Sequence, residues 1–268
     1  MDLEFTPKYV EVANFEAKLG SSDIKAKGTV DNMLAYFSPK KTMTGELTMR
    51  SNYFDANEWL SETPAETTTT TTTEVFDRFE FKVDGIFKKI DYDIYQLKDL
   101  VAKGSASPSK VDIDQFEMVI GNSDIKGKGK LRNVFNYLYK NEKLEGNLAL
   151  NSKFMDLNQF MVDPEASGTA SAKTIAEKED VVAGPILIPE NVDIDIDANF
   201  GKVRYTNIDL KNVQGKLLVQ DQVVKVKNCK ARTLGGSMLM NGDYNTKNPK
   251  QPTFDIDYKI QQLSLIHI

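Results

Sequence analysis

Ser22-Asp-Ile-Lys-Ala-Lys-Gly28 returns 101 residues later as Ser123-Asp-Ile-Lys-Gly-Lys-Gly129. The offset runs without a gap from Phe15/Phe116 to Asn57/Asn158 and keeps sixteen identities, among them Gly20, Ser22, Asp23, Gly28, Asn32, Gly45, Ser51, Asp55 and Asn57. A repeat of this length decides the architecture before any local reading does, because each copy is one supersecondary unit stacked on the next.

Outward from that stretch the pattern has period two. Phe15, Ala17 and Leu19 alternate with Asn14, Glu16 and Lys18. Gly20-Ser-Ser22 turns the chain, and Ile24, Ala26, Gly28 and Val30 then alternate with Lys25 and Lys27. Such alternation marks half-buried strands. Gly45–Ser51 and its copy Gly146–Ser152 read the same way. Asp55–Leu60 and Asp156–Met161 read as short helical turns opened by an Asp cap. Met33–Phe37 and Val134–Leu138 are too short to assign to helix or turn by periodicity.

The other half of the unit recurs at an offset of 113. Phe87, Lys89, Tyr92, Leu97 and Lys98 meet Phe200, Lys202, Tyr205, Leu210 and Lys211. Between the two kinds of half lie low-complexity runs, Thr67–Thr73 in one copy and Asp163 to about Gly184 in the other. Neither can bury enough apolar surface to order itself, so both read as flexible loops. The expected organisation is the C-terminal part of a first repeat over 1–62, a Thr-rich loop over 63–75, and a second repeat over 76–162. A flexible loop over 163–185 and an incomplete third repeat over 186–262 follow. Residues 263–268, Leu-Ser-Leu-Ile-His-Ile, match the translation of a transposase mosaic end used in library preparation and are set aside as a sequencing scar. The authentic chain is then expected to continue past Gln262 and to begin upstream of Met1.

Each repeat therefore comprises about five strands and one long loop, which makes an all-β, mainly antiparallel fold. A sheet with one apolar face must close, pack on another layer or hold an apolar ligand. No stretch supplies a covering layer of helices.

A net charge of -5 with mixed signs argues against a nucleic-acid surface. Cys229 is alone, so no internal disulfide and no Cys-based zinc site can form. The single histidine, His267, lies in the scar, so the common nucleophile–base pairs cannot be assembled. Asp193, Asp195 and Asp197 alternate strictly with β-branched residues, which reads as a solvated face and not a calcium loop. Asp23 and Asp124, each beside a serine at a turn, read as turn caps. The paired lysines Lys25/Lys27 and Lys126/Lys128 read as solvated strand faces. The chain is expected to be non-enzymatic, without cofactor or metal.

The pattern Asn14-Phe-Glu-Ala, Gly20-Ser-Ser-Asp-Ile-Lys-Ala-Lys-Gly28, Asn32, Tyr36, Gly45–Ser51 and Asp55–Trp59, with Gly235–Tyr244 further on, resembles the C-terminal region of AsmA-like proteins. The resemblance covers most of residues 3–262, and its motifs are structural. It implies a repeating β-groove: curved five-stranded units joined by long loops into a trough with an apolar interior. It also implies a TamB-like role in phospholipid transport and outer-membrane biogenesis, in the periplasm, held to the inner membrane by an anchor this chain lacks. The expected partners are phospholipid or another acyl lipid, membranes through that anchor, and envelope proteins, with no nucleic acid.

One-sided alternation agrees with a lipid conduit, since each shielded CH₂ is worth about 0.8 kcal/mol. Phe79, Phe81, Val83, Val192, Ile194, Ile196 and Ala198 are the expected lining. The competing reading is a structural or interaction β-repeat whose apolar faces pack on each other.

Overall fold

The computed structural model describes residues 2–5, 9–33, 35, 41–59, 77–161, 185–233 and 235–261. The expected Thr-rich loop, the loop over 163–184 and the terminal six residues lie outside them. The strands are β1 (Asp2–Phe5), β2 (Tyr9–Leu19), β3 (Ser22–Asp31), β4 (Met43–Ser51), β5 (Phe54–Asp55), β6 (Phe79–Tyr92), β7 (Tyr95–Ala106) and β8 (Lys110–Ile120). They continue with β9 (Ser123–Arg132), β10 (Leu144–Asp156), β11 (Val192–Tyr205), β12 (Ile208–Gln220), β13 (Val223–Thr233), β14 (Gly236–Asn245) and β15 (Thr253–Gln261). A single short α-helix, α1 (Val134–Lys140), accompanies them among the described residues. The fold is all-β and mainly antiparallel, as the period-two patterning required.

The chain forms two compact units, Met1–Phe116 with Lys130–Glu142, and Glu117–Gly129 with Lys143–Ile268. In the first, the strand order is β1-β2-β3-β4-β6-β7-β8, with β5 also beside β6. In the second, it runs β9-β10-β11-β12-β13-β14-β15. Each unit contains a parallel junction: β4 pairs with β6, and β10 with β11. Parallel neighbours need a crossover instead of a hairpin. Both crossovers open with a 3-10 turn, Ala56–Trp59 and Leu157–Phe160.

The repeated motif holds these junctions. Ser22 and Ser123, 1 % and 0 % exposed, start β3 and β9. Their hydroxyls accept the Asp55 and Asp156 amides at 2.9 and 2.8 Å. Asp23 accepts the Tyr53 amide at 2.7 Å and the Asn52 amide at 2.9 Å. Asp124 likewise accepts the Phe154 amide at 2.9 Å and the Lys153 amide at 3.0 Å. The two aspartates therefore cap backbone about thirty residues downstream, not the turn beside them. Ser51 and Ser152 add their hydroxyls to the same carboxylates.

The 3-10 turns follow the expected Asp caps, with Asp55 and Asp156 accepting the Asn57 and Asn158 amides at 3.0 and 3.1 Å. Asn57 and Asn158 then reach the next hairpin, accepting the amides of Asp93 and Thr206 at 2.6 Å each. Those hairpin residues sit at φ 51° and 52°, a left-handed geometry that the asparagine contact supports. Gly20 and Gly121, at φ 58° and 52°, complete the latch. A Cβ there would strike the side-chain oxygens of Glu58 and Gln159, which accept the Ser21 and Asn122 amides at 2.9 and 3.1 Å. A hydrogen bond to a charged group contributes roughly 1.5–3 kcal/mol, so each aspartate is a substantial part of its unit's stability.

Candidate functional site: the apolar sheet faces

In the second unit the even positions of β11 carry Val192, Ile194, Ile196, Ala198 and Phe200. Their register partners extend the face sideways. Leu148 and Leu150 on β10 stand opposite Ile196 and Ala198. Val219, Leu217 and Val213 on β12 stand opposite Ile194, Ile196 and Phe200. Val224 and Val226 on β13 stand opposite Val219 and Leu217. Met238, Met240 and Tyr244 continue it on β14, and Ile260, Tyr258 and Phe254 on β15. Six neighbouring strands thus present one apolar side.

That side is only partly covered. Val192 and Ala198 are buried, but Ile194, Ile196, Leu217, Val219 and Val224 are half-buried. On β15, Phe254, Ile256, Tyr258 and Ile260 are 57, 42, 63 and 39 % exposed. Each stands opposite a face residue of β14, so their exposure lies on the apolar side. One cover is present at the Val192 end. The segment preceding β11 crosses there, with the Ile186 amide donating to Tyr244 Oη at 3.0 Å and the Ile188 amide to Thr246 Oγ1 at 3.2 Å.

The first unit repeats this in β6. Phe79, Phe81 and Val83 lie on the odd face, opposite Met43, Gly45 and Leu47 of β4. All three are half-buried. The Phe79 ring lies 5.8 Å from Phe81 and 5.5 Å from Phe135 of α1. The helix therefore partly covers the Phe79 end, a cover that the ambiguous Val134–Leu138 run did not reveal. The seven expected lining residues form two groups, three on β6 and four on β11, one in each unit.

The opposite faces are charged. Asp195 and Asp197 are exposed, and Asp197 pairs with Lys216 at 3.5 Å. In the first unit a cavity of about 620 Å³ is lined by Thr29, Glu46, Thr48, Lys82, Asp84, Lys103 and Asp114, and also by Leu47 and the expected lining residue Val83. Four of its charges pair across strands: Lys82 Nζ lies 2.7 Å from Glu46 and Lys103 Nζ 3.1 Å from Asp84. The hydrogen bond and charge of Lys82 hold the Glu46 carboxyl below the ordinary range.

Past Phe200 the buried position of β11 becomes Val203, 5 % exposed and opposite buried Met155, while the half-buried Lys202 and Arg204 lie on the charged side. Both reach Asp209 of β12, at 2.7 Å from Lys202 Nζ and 2.9 Å from Arg204 Nε. Hydrogen bonds from Arg204 and Lys202 pull the Asp209 carboxyl down to about 2. Both cations also lie over the Phe154 ring, at 5.4 and 5.5 Å from its centroid. The first-unit counterpart is Lys89 over the Tyr53 ring at 5.0 Å. Reading for apolar alternation stops at Phe200 and misses this cluster. The recurrence of Lys89 and Lys98 as Lys202 and Lys211 was the available signal.

Comparison with family models, with curated proteins and with solved structures finds no match to this chain.

Proposed function

We propose that this chain is part of a non-enzymatic β-groove protein of the cell envelope that shields acyl lipid along its apolar sheet faces. The observation that carries the reading is the half-exposed state of Ile194, Ile196, Leu217 and Val219 in the middle of a six-strand apolar face. A sandwich of the same strands would bury them. Leaving them open to water has a cost that a lipid removes, since burying one such side chain is worth roughly 1.5–3 kcal/mol.

In this reading the building block is a five-stranded unit. The strands β6–β10 make one and β11–β15 the next, joined at a parallel junction, and β1–β4 belong to an earlier one. The parallel β4/β6 and β10/β11 pairs, held by the same Ser-Asp-Asn latch, support that division. The resemblance to AsmA-like proteins supports a periplasmic location. There it would carry phospholipid between the inner and outer membranes and contribute to outer-membrane biogenesis, anchored at the inner membrane.

The test uses delipidated protein incubated with fluorescent phospholipid and separated by gel filtration. Retained lipid that is lost in Ile194→Asp supports the groove. Absence of lipid from both proteins contradicts it and favours the structural β-repeat.

A further inference from the structure

Helix α1 meets β6 at both ends of that strand. Its Phe135 ring lies 5.5 Å from Phe79 at the start of β6, and its Tyr137 side chain is hydrogen-bonded to Tyr92 at the end. A straight strand of 14 residues would hold those ends about 43 Å apart. Phe135 and Tyr137 are next-but-one neighbours on a helix of 7 residues, so β6 must arch toward it. The arch has a local origin. The neighbouring strand β7 leaves the extended region at Asp99, φ 50°, and its pairing with β6 skips Asp99 and Lys88. Such an irregularity bends a sheet. Phe81 and Val83 share the Phe79 side of β6 and lie within the arch, half-buried.

The second unit repeats the arrangement without a helix. Asn212 of β12 takes the same φ of 50°, and its pairing with β11 skips Asn212 and Gly201. The segment before β11 donates the Ile186 amide to Tyr244 Oη at 3.0 Å. Burial pushes the Tyr244 hydroxyl up, and Tyr205, from the far end of β11, adds to the rise. In both units a connecting segment crosses the apolar side and is fastened through a tyrosine hydroxyl.

The anchors of α1 are a neutral hydrogen bond and a tilted aromatic pair, both contacts of modest strength. Val134, Phe135, Asn136 and Tyr137 are half-buried, not buried. The helix enters and leaves through asparagines in the left-handed region, Asn133 at φ 62° and Asn141 at φ 54°. Element-terminal residues of this kind absorb the dihedral change of a hinge. We propose that α1 is a lid over the apolar face of β6, which opens at the Tyr92–Tyr137 contact to admit an acyl chain and closes over it. The lid rests on the groove reading, because it needs that cargo.

The experiment follows uptake of self-quenched fluorescent phosphatidylcholine from vesicles by the intact chain. In Tyr92→Cys/Tyr137→Cys a short reducible thiol cross-linker holds the lid shut. Wild type given the same reagent is the control, since its single cysteine, Cys229, is buried. The expected result is uptake slowed about tenfold or more by the cross-link and restored by reduction. Tyr137→Phe, which removes the hydroxyl and keeps the ring, should load about threefold faster to the same final amount. Uptake by the cross-linked protein at its uncross-linked rate, or by Tyr137→Phe no faster than wild type, overturns the lid and leaves the groove standing. No uptake by wild type overturns the groove and the lid together.

Discussion

Asn158 clamps Thr206 through both of that residue's backbone groups: its Oδ1 accepts the Thr206 amide at 2.6 Å and its Nδ2 donates to the Thr206 carbonyl at 3.0 Å. The contact joins the 3-10 turn after β10 to the β11–β12 hairpin. Two hydrogen bonds and a left-handed hairpin residue depend on one side chain. Asn158→Ala should lower unfolding stability by about 1–2 kcal/mol. A chemical-denaturation midpoint unchanged from wild type would contradict the latch.

The aspartates of the latch make the fold acid-sensitive. The Tyr53 amide, with further donors from Asn52 and Ser51, holds the Asp23 carboxyl below its ordinary value. At Asp124 desolvation acts upward, but the Phe154 and Lys153 amides and the Ser152 hydroxyl outweigh it, so the net direction is again down. A carboxyl depressed in the folded state stabilises fully above its unfolded value and loses that contribution as pH falls through the folded one. Stability should therefore fall below about pH 4. The double variant Asp23→Asn/Asp124→Asn should be weaker at pH 7 and should lose less on acidification. Thermal melts at pH 7 and pH 3 measure both effects.

Gly28 sits at φ 147° where β3 pairs with β4, and a Cβ there would overlap the Glu46 carbonyl oxygen. The obstacle is backbone, which cannot rotate away. Gly28→Ala should cost about 2 kcal/mol or more, through combined strain and overpacking. The measurement is the urea midpoint, with Ala26→Gly as the control for backbone freedom on the same strand.

The β15 edge should govern self-association. Phe254, Ile256, Tyr258 and Ile260 are all exposed on one side of a strand with a single described neighbour, β14. Exposed apolar edges pair with other chains. Tyr258→Lys should raise the concentration at which light scattering detects oligomers while leaving the melting temperature within a few degrees. Equal association by both proteins would move the sticky surface elsewhere.

How much of this was legible in the sequence depended on whether a signal was local. Period-two alternation placed β2, β3, β4, β6, β10 and β11 because each inner-face residue is two positions from the next over most of their length. The repeat identities Ser22, Asp23, Ser51, Asp55 and Asn57 were visible as identities, yet their purpose was not. Asp23 meets its partners about thirty residues away, at Asn52 and Tyr53, and only the sheet register brings them together. The parallel β4/β6 and β10/β11 pairings were hidden for the same reason. The one-sided apolar positions on β6 and β11 were readable. Their division between two units, and the cations beyond Phe200 on the charged side, needed the strands side by side.

The central claim is that the even face of β11 meets lipid and the odd face meets water. A photo-crosslinking amino acid placed at Ile196, or one residue on at Asp197, tests it most directly when the protein is mixed with radiolabelled phospholipid and irradiated. Labelling at position 196 and not at 197 is the predicted result. Equal labelling at both, or none at 196, would contradict the groove.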